Sequence, residues 1–342
     1  MSRVFRITLH ANLTLQRSAV PRLPNPLGST PARERQPADS QERLRQRAEW
    51  RARREERREK QRAQNVIRAK NMHVARLEYE KTHAREPAKK AAKANTKTAP
   101  AAHIGCSGWY YWHWGGAFYP EGLPSSGWFE HYAKHFDTVE LNAPFYSWPT
   151  LATVATWKRQ AGRRNFVYAI KVNELITHTK RFSRTAELIK DFGLIADLLG
   201  PHFGCFLFQL PPSFHYSAAA LKRILIQLDP RRRNVVEFRH RSWWNEKVYA
   251  AFREARAIFC STSGPRLPDE LVKTADDIYV RFHGTQRWYR HDYTKEELAV
   301  WAERIRKSKA REVWAYFNND REGYAIKNAR ELRAAMKPGG RR

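Results

Sequence analysis

Residues 166–211, FVYAIKVNELITHTKRFSRTAELIKDFGLIADLLGPHFGCFLFQLP, decide the fold. The stretch opens on a short β-branched and aromatic run, passes through a helical pattern over 183–200, and closes on a second apolar run, GCFLFQLP. A strand, a helix and a strand in that order imply a parallel crossover with its helix laid on the sheet. Outward from this unit the pattern repeats. IGCSG (104–108), TVELNAPFY (138–146), NVVEFRH (234–240), AIFCSTS (257–263), IYVRFHG (278–284) and VWAYFNND (313–320) bring the runs to eight. Helical patterns lie between them, among them LATVATWKRQ, NEKVYAAFREA, KEELAVWAERIRKS and a short PDELVKTA (268–275). Eight such units in about 240 residues predict an α/β fold, a TIM-type (β/α)8 barrel over 103–337. The alternative, a doubly wound open sheet, is weakened because the first strand-to-helix turn lacks a GxGxxG phosphate loop.

The chain has 342 residues and a formal net charge of +29. Residues 1–102 hold 25 Lys and Arg against 10 Asp and Glu, so about half of the surplus lies ahead of the barrel. Residues 1–40, rich in Pro, Ser, Thr and Arg, read as disordered. From 41 to 85 the chain has no Gly or Pro, and Glu and Arg recur three and four apart. That predicts a solvated, charged helix without enough apolar residues for a packing face. Residues 86–102 read as a linker and 338–342 as a basic tail. The basic extension 1–102 is expected to give at most weak electrostatic association with nucleic acid, since no folded nucleic-acid motif appears. Cys106, Cys205 and Cys260 are odd in number and each lies in an apolar run, which predicts reduced, buried thiols. No apolar stretch reaches 18 residues and no signal-peptide core follows Met1, so a cytoplasmic protein that does not span a membrane is expected.

In a barrel of this type, chemistry sits at the carboxyl ends of the strands. Side chains two apart share a strand face, and five strands end in polar pairs at that spacing: Glu140 and Asn142, Lys171 and Asn173, Glu237 and Arg239, Arg281 and His283, Asn318 and Asp320. Gln209 closes the fourth strand alone. Charges inside apolar strands are costly unless paired or functional, and convergence from so many strands points to a shared mouth. Lys171, Arg239 and Arg281 suit a phosphate or carboxylate. Glu140, Glu237 and His283 are the acid–base candidates, the two carboxylates also reading as a glycosidase-like pair. Lys171 reads either as an anion-binding or salt-bridged lysine or as a Schiff-base amine. Glu237 and Arg239 also read as a purely structural pair. Two carboxylates and a histidine resemble a divalent-metal set, but three cations beside them oppose a metal, and neither metal nor cofactor is expected. Aromatics at the same end, including Trp109, Tyr146, Trp243 and Trp288, would form a rim over this floor.

The blocks CSGWYYWHWGGAFYP, FDTVELNAPFYSWP, FVYAIKVNELITHTKRF, LFQLPPSF, VVEFRHRSWW, YVRFHG and YFNND, in that order, closely resemble the YecE-like family, domain of unknown function 72. The resemblance implies a TIM-type barrel and a cytosolic setting, and it supplies no reaction. It adds Thr177, His178 and Lys180, in the loop after the third strand, to the residues already named. The family often places an Asp near the end of the sixth strand, where this chain reads Ser261-Thr262-Ser263.

These readings converge on an enzyme acting on a small anionic substrate. Lys171, Arg239 and Arg281 would meet its charge, and Asn142, Tyr146, His178, Lys180, Gln209, Trp109, Trp243, Asn318 and Asp320 would line its site. A metal-dependent phosphoester hydrolase or isomerase, and a non-catalytic binding module associated with nucleic acid through the basic extension, are the alternatives.

Overall fold

The computed structural model describes residues 37–83 and 101–337. The readings made for 1–36, for most of the linker and for the basic tail lie outside the described residues. The strands are β1 (Ala101–Cys106), β2 (Thr138–Leu141), β3 (Val167–Lys171), β4 (Phe203–Gln209), β5 (Asn234–Glu237), β6 (Ile258–Ser263), β7 (Ile278–Phe282) and β8 (Glu312–Phe317). The helices are α1 (Pro37–His83), α2 (Trp128–His135), α3 (Ala143–Tyr146), α4 (Leu151–Ala161), α5 (Ala186–Leu199), α6 (Ala218–Leu225), α7 (Glu246–Glu254), α8 (Lys295–Lys307) and α9 (Tyr324–Met336). The strands pair in parallel in the order β1-β8-β7-β6-β5-β4-β3-β2, a nearly closed barrel surrounded by helices.

Strand alternation sorts the core into two layers. Inside the barrel lie Ala169, Cys205, Leu207, Val235, Cys260, Tyr279, Trp314 and Tyr316. Outward-facing residues such as Ile170, Phe206, Val236, Phe259 and Phe282 pack against the helices. All three cysteines are free and buried, as their apolar runs predict.

The ends of the sheet, β1 and β2, are joined by a side chain. The hydroxyl of Tyr132, on α2, accepts from the Cys106 N–H at 2.9 Å and donates to the Thr138 carbonyl at 3.0 Å. It therefore stands where a strand-to-strand hydrogen bond would otherwise run. Gly105 permits this close approach, since a Cβ there would lie 2.5 Å from the Thr138 carbonyl oxygen.

The short helix expected at 268–275 does not form. That segment runs beside β6, bonded by side chains. The Val272 N–H donates to Ser261 Oγ at 2.8 Å, and Thr274 Oγ1 accepts from Phe259 N–H and donates to the Ala257 carbonyl. Hydroxyls thus satisfy the backbone that a helix would have satisfied internally.

Helix α1 departs further from expectation. Up to Arg54 it forms its own unit, and its described side chains there are exposed, with Arg45 bonded to Glu49 four residues on. From Glu55 onward it belongs with the barrel. Asn65, Ala69, Met72 and Arg76 are buried there, a stripe at helical spacing. Its packing face is real, but two of its four buried residues are polar, so an apolar count passes over it. Arg76 donates to Asp191 on α5 at 2.8 Å and to Glu187 at 3.0 Å, which compensates the buried Asp191 carboxylate.

The Tyr132 bridge is testable. Tyr132→Phe keeps the ring but leaves a buried N–H and C=O without their shared partner, at an expected cost of about 1–3 kcal/mol. Thermal unfolding should report a lower Tm by several degrees, whereas an unchanged Tm would show that the seam does not rely on the hydroxyl.

Candidate active site

Arg281 extends inward from β7 at the carboxyl end of the barrel, two residues beyond Tyr279. Its guanidinium donates from Nη1 to Glu237 Oε2 and from Nη2 to Glu140 Oε1, both at 2.6 Å. Glu140 also accepts from Ser107 Oγ at 2.7 Å and from the Tyr279 hydroxyl at 2.6 Å. The second oxygen of Glu237 accepts from Arg239 Nε. Arg281, Glu140 and Glu237 are all buried, the two carboxylates completely. Burial opposes the charge on Glu237, but Arg239 and Arg281 outweigh it and hold the carboxyl well below its ordinary range. A Glu237 held ionised in this way has no proton to give as a general acid at neutral pH.

His283 follows Arg281 on the same face and is fully buried. Its Nε2 lies 3.0 Å from Arg239 Nη2. Because a guanidinium only donates, Nε2 must carry the lone pair and the proton sits on Nδ1. Burial, then Arg239 and Arg281, push the imidazole pKa well below its ordinary value, so the ring is neutral. Its Nδ1 has no hydrogen-bond partner among the described residues. Trp288 covers this corner, with Arg239 stacked 4.5 Å over its ring and His283 at 5.3 Å between ring centres.

Lys171 stands apart. The residue is 8% exposed, and its Nζ lies 3.9 Å over the ring of Phe145 from α3. Among the described residues the amine has neither a hydrogen bond nor an ion pair. Burial, then Arg281, push its pKa down to about 7, against a smaller upward pull from Glu237. His178 packs edge-on to the same Phe145 ring at 4.8 Å, and burial and Lys171 push it down to about 4.

The remaining candidates divide. Asn142 donates to the Ser107 carbonyl at 3.3 Å and Gln209 to the Leu210 carbonyl at 2.7 Å, both close to the floor. Tyr146 and Lys180 are exposed on the loops after β2 and β3, and Asn318 is half-buried just after β8. Asp320 accepts the Trp114 indole N–H at 2.8 Å, and burial pushes its pKa up to about 6. Trp109 packs edge-on against Phe129. Trp243 is fully buried, stacked 4.0 Å from Phe238 and bonded to the Phe214 carbonyl, so it belongs to the layer outside the strands. In β6, Ser261 and Ser263 bond outward to Val272 and Tyr293, which leaves Thr262 on the face that Cys260 shares. Two partners of Glu140, Ser107 and Tyr279, were not among the sequence candidates. Tyr279 carries a signal, for it lies two residues before Arg281 on the same strand face. No group of three His, Cys, Asp or Glu side chains among the described residues is placed to hold a metal ion. No helix among them is long and apolar enough to cross a membrane.

The isolated Lys171 ammonium predicts a pH-dependent cost. Its folded pKa of about 7 lies below an unfolded value of about 10.4, so between these values the unfolded chain binds more protons and stability rises with pH. Lys171→Met should therefore stabilise the fold at pH 6, by about 2 kcal/mol or ~4–8 °C in Tm, and by progressively less above pH 7. A gain equal at pH 6 and pH 10 would contradict this.

Comparison with known proteins bears on the same barrel. A family model described as a protein of unknown function, DUF72, matches residues 103–341. The UPF0759 protein YunF of Bacillus subtilis is 25% identical over 266 residues, covering 67% of this chain and 93% of YunF. The UPF0759 protein YecE of Escherichia coli K12 is 25% identical over 202 residues, covering 52% of this chain and 73% of YecE. The crystal structure of a DUF72 family protein from Thermotoga maritima matches with a TM-score of 0.64 and 26% identity, over 70% of this chain and all (100%) of the other. A DUF72 family protein from Enterococcus faecalis shares the fold at a TM-score of 0.59 and 20% identity, over 69% of this chain and 95% of its own. The chain therefore belongs to the DUF72 family, whose matched region is the barrel together with the floor of charges built on its strands.

Proposed function

We propose that the barrel mouth binds and acts on a small anionic substrate, one carrying a phosphate or a carboxylate. One observation carries the reading: Lys171 is a buried amine with neither an ion pair nor a hydrogen bond among the described residues. The floor holds three cations, and its two carboxylates, Glu140 and Glu237, are engaged by Arg281 and Arg239. An incoming anion would supply the missing charge, and a site shielded from water strengthens that attraction. Aromatic and amide groups around the mouth, Phe145, Tyr146, Trp288, Asn142 and Gln209, offer surfaces for the rest of such a molecule.

The chemistry follows from the same residue. With a pKa of about 7, Lys171 is present in both protonation states near neutral pH. It is therefore suited to exchange a proton with a bound substrate or, as the free amine, to attack it. Glu140 and Glu237, each buried and bonded through both oxygens, are better suited to fix Arg281 than to act as a glycosidase-like pair. His283, neutral and buried, has an Nδ1–H without a partner among the described residues.

Thermal-shift measurements on the full chain, with phosphorylated, carboxylated and neutral metabolites, test the proposal. Anionic hits are expected whose stabilisation disappears in Lys171→Met. Their affinity should be fullest below pH 7 and fall up to tenfold per pH unit above it, as the ammonium form is lost. Hits confined to neutral compounds, or anionic hits indifferent to Lys171→Met, would overturn it.

A further inference from the structure

Helix α1 lies outside the residues that the family model matches, yet part of it is bound to a loop of the mouth. The side-chain amide of Asn65 donates from Nδ2 to the Tyr146 carbonyl at 2.9 Å, and its Oδ1 accepts from the Trp148 N–H at 2.8 Å. One buried side chain thus grips the backbone on both sides of Ser147, much as a neighbouring strand would. Arg68, one turn further along, donates to Ser147 Oγ and to the Trp148 carbonyl. From the barrel side, Asn173 donates to the Pro144 carbonyl at 2.8 Å. Phe145 is held between these anchors, with its face on the Lys171 amine and its ring nearly perpendicular to that of His178.

We infer that Asn65 is a positioning residue for the mouth: by clamping residues 146–148 it keeps the Phe145 ring over the Lys171 amine. The inference rests on the reading of Lys171 as the reactive group and extends it to an element outside the matched barrel. Its physical basis is the sensitivity of a buried amine to whatever excludes water from it. The groups that face Lys171 from the packed elements are Glu140 of β2, Glu237 and Arg239 of β5 and its following loop, Arg281 of β7, and His178 of the loop after β3. Among the described residues none of these charges is hydrogen-bonded or ion-paired to Asn65, so loosening the 146–148 segment would act on the amine through Phe145. The loop after β3 is held less firmly by α1. There the ion pair is Arg62 with Glu174, at 3.7 Å, and a cavity of about 210 Å3 remains between helix and loop.

The test is the pH dependence of Lys171 acylation by acetic anhydride in the full-length protein, read by mass spectrometry of the peptide that contains it. Wild type should give a half-point near 7. Asn65→Ala should move it upward by a unit or more, with about fivefold less modification at pH 7 or a greater loss. Phe145→Ala, which opens the amine to water, should reproduce the shift while leaving the α1 contacts intact, and Arg68→Gln offers a milder release should Asn65→Ala fold poorly. A fall in Tm without a shift in the half-point, in Asn65→Ala or Arg68→Gln, would overturn the positioning role, because a merely structural contact moves only the former. A shift in Phe145→Ala alone would likewise overturn it. A wild-type half-point at the ordinary lysine value of about 10.4 would instead fail the reading of Lys171 itself.

Discussion

The guanidinium of Arg281 reaches from β7 to carboxylates on β5 and β2, and the upper half of the barrel interior is arranged around that tie. Three charges are taken out of water there, sustained because both Nη atoms of Arg281 face carboxylate oxygens and those carboxylates accept further bonds from Ser107, Tyr279 and Arg239. Arg281 Nε is left without a partner among the described residues. The tie also decides what the neighbours can do. With Glu140 and Glu237 committed to arginines, neither is left to pair with Lys171. The cluster, balanced at its centre, is therefore cationic at its edge, and the edge is where a ligand would arrive.

Elsewhere, single side chains complete what backbone or apolar packing leaves open. Tyr132 supplies a hydroxyl between β1 and β2, where the ladder of strand hydrogen bonds does not close. Asn65 acts as a peptide surrogate for the segment 146–148. Ser261 and Thr274 satisfy a segment that would otherwise need a helix. These are local solutions to one requirement, that buried N–H and C=O groups be paired, and the Asn65 clamp lies on a loop of the mouth.

Membership of the DUF72 family accounts for the barrel and for the order of its motifs, and leaves α1 as the element to explain. Its basic residues read as a solvated surface, yet Arg76 and Arg68 make contacts with the barrel unit itself. Charge along a helix is therefore a poor guide to exposure when the facing surface offers carboxylates such as Asp191 and Glu187.

The fold was legible in the sequence because strand–helix alternation is a local, periodic signal, and a parallel sheet buried on both faces leaves continuous apolar runs. The mouth was legible in outline for the same reason: a two-residue spacing places Glu140, Lys171, Glu237 and Arg281 at inward strand ends without further information. The sequence by itself thus determined which charges meet. Only the tertiary structure decided how they pair, because Arg281 is shared between strands far apart in the chain and no local pattern says which carboxylate it takes. The same limit explains Trp243, which left the rim for the outer layer, and Asn65, whose partners lie more than 80 residues away. Periodicity reports which way a side chain points, whereas pairing depends on distances that the closed barrel alone sets.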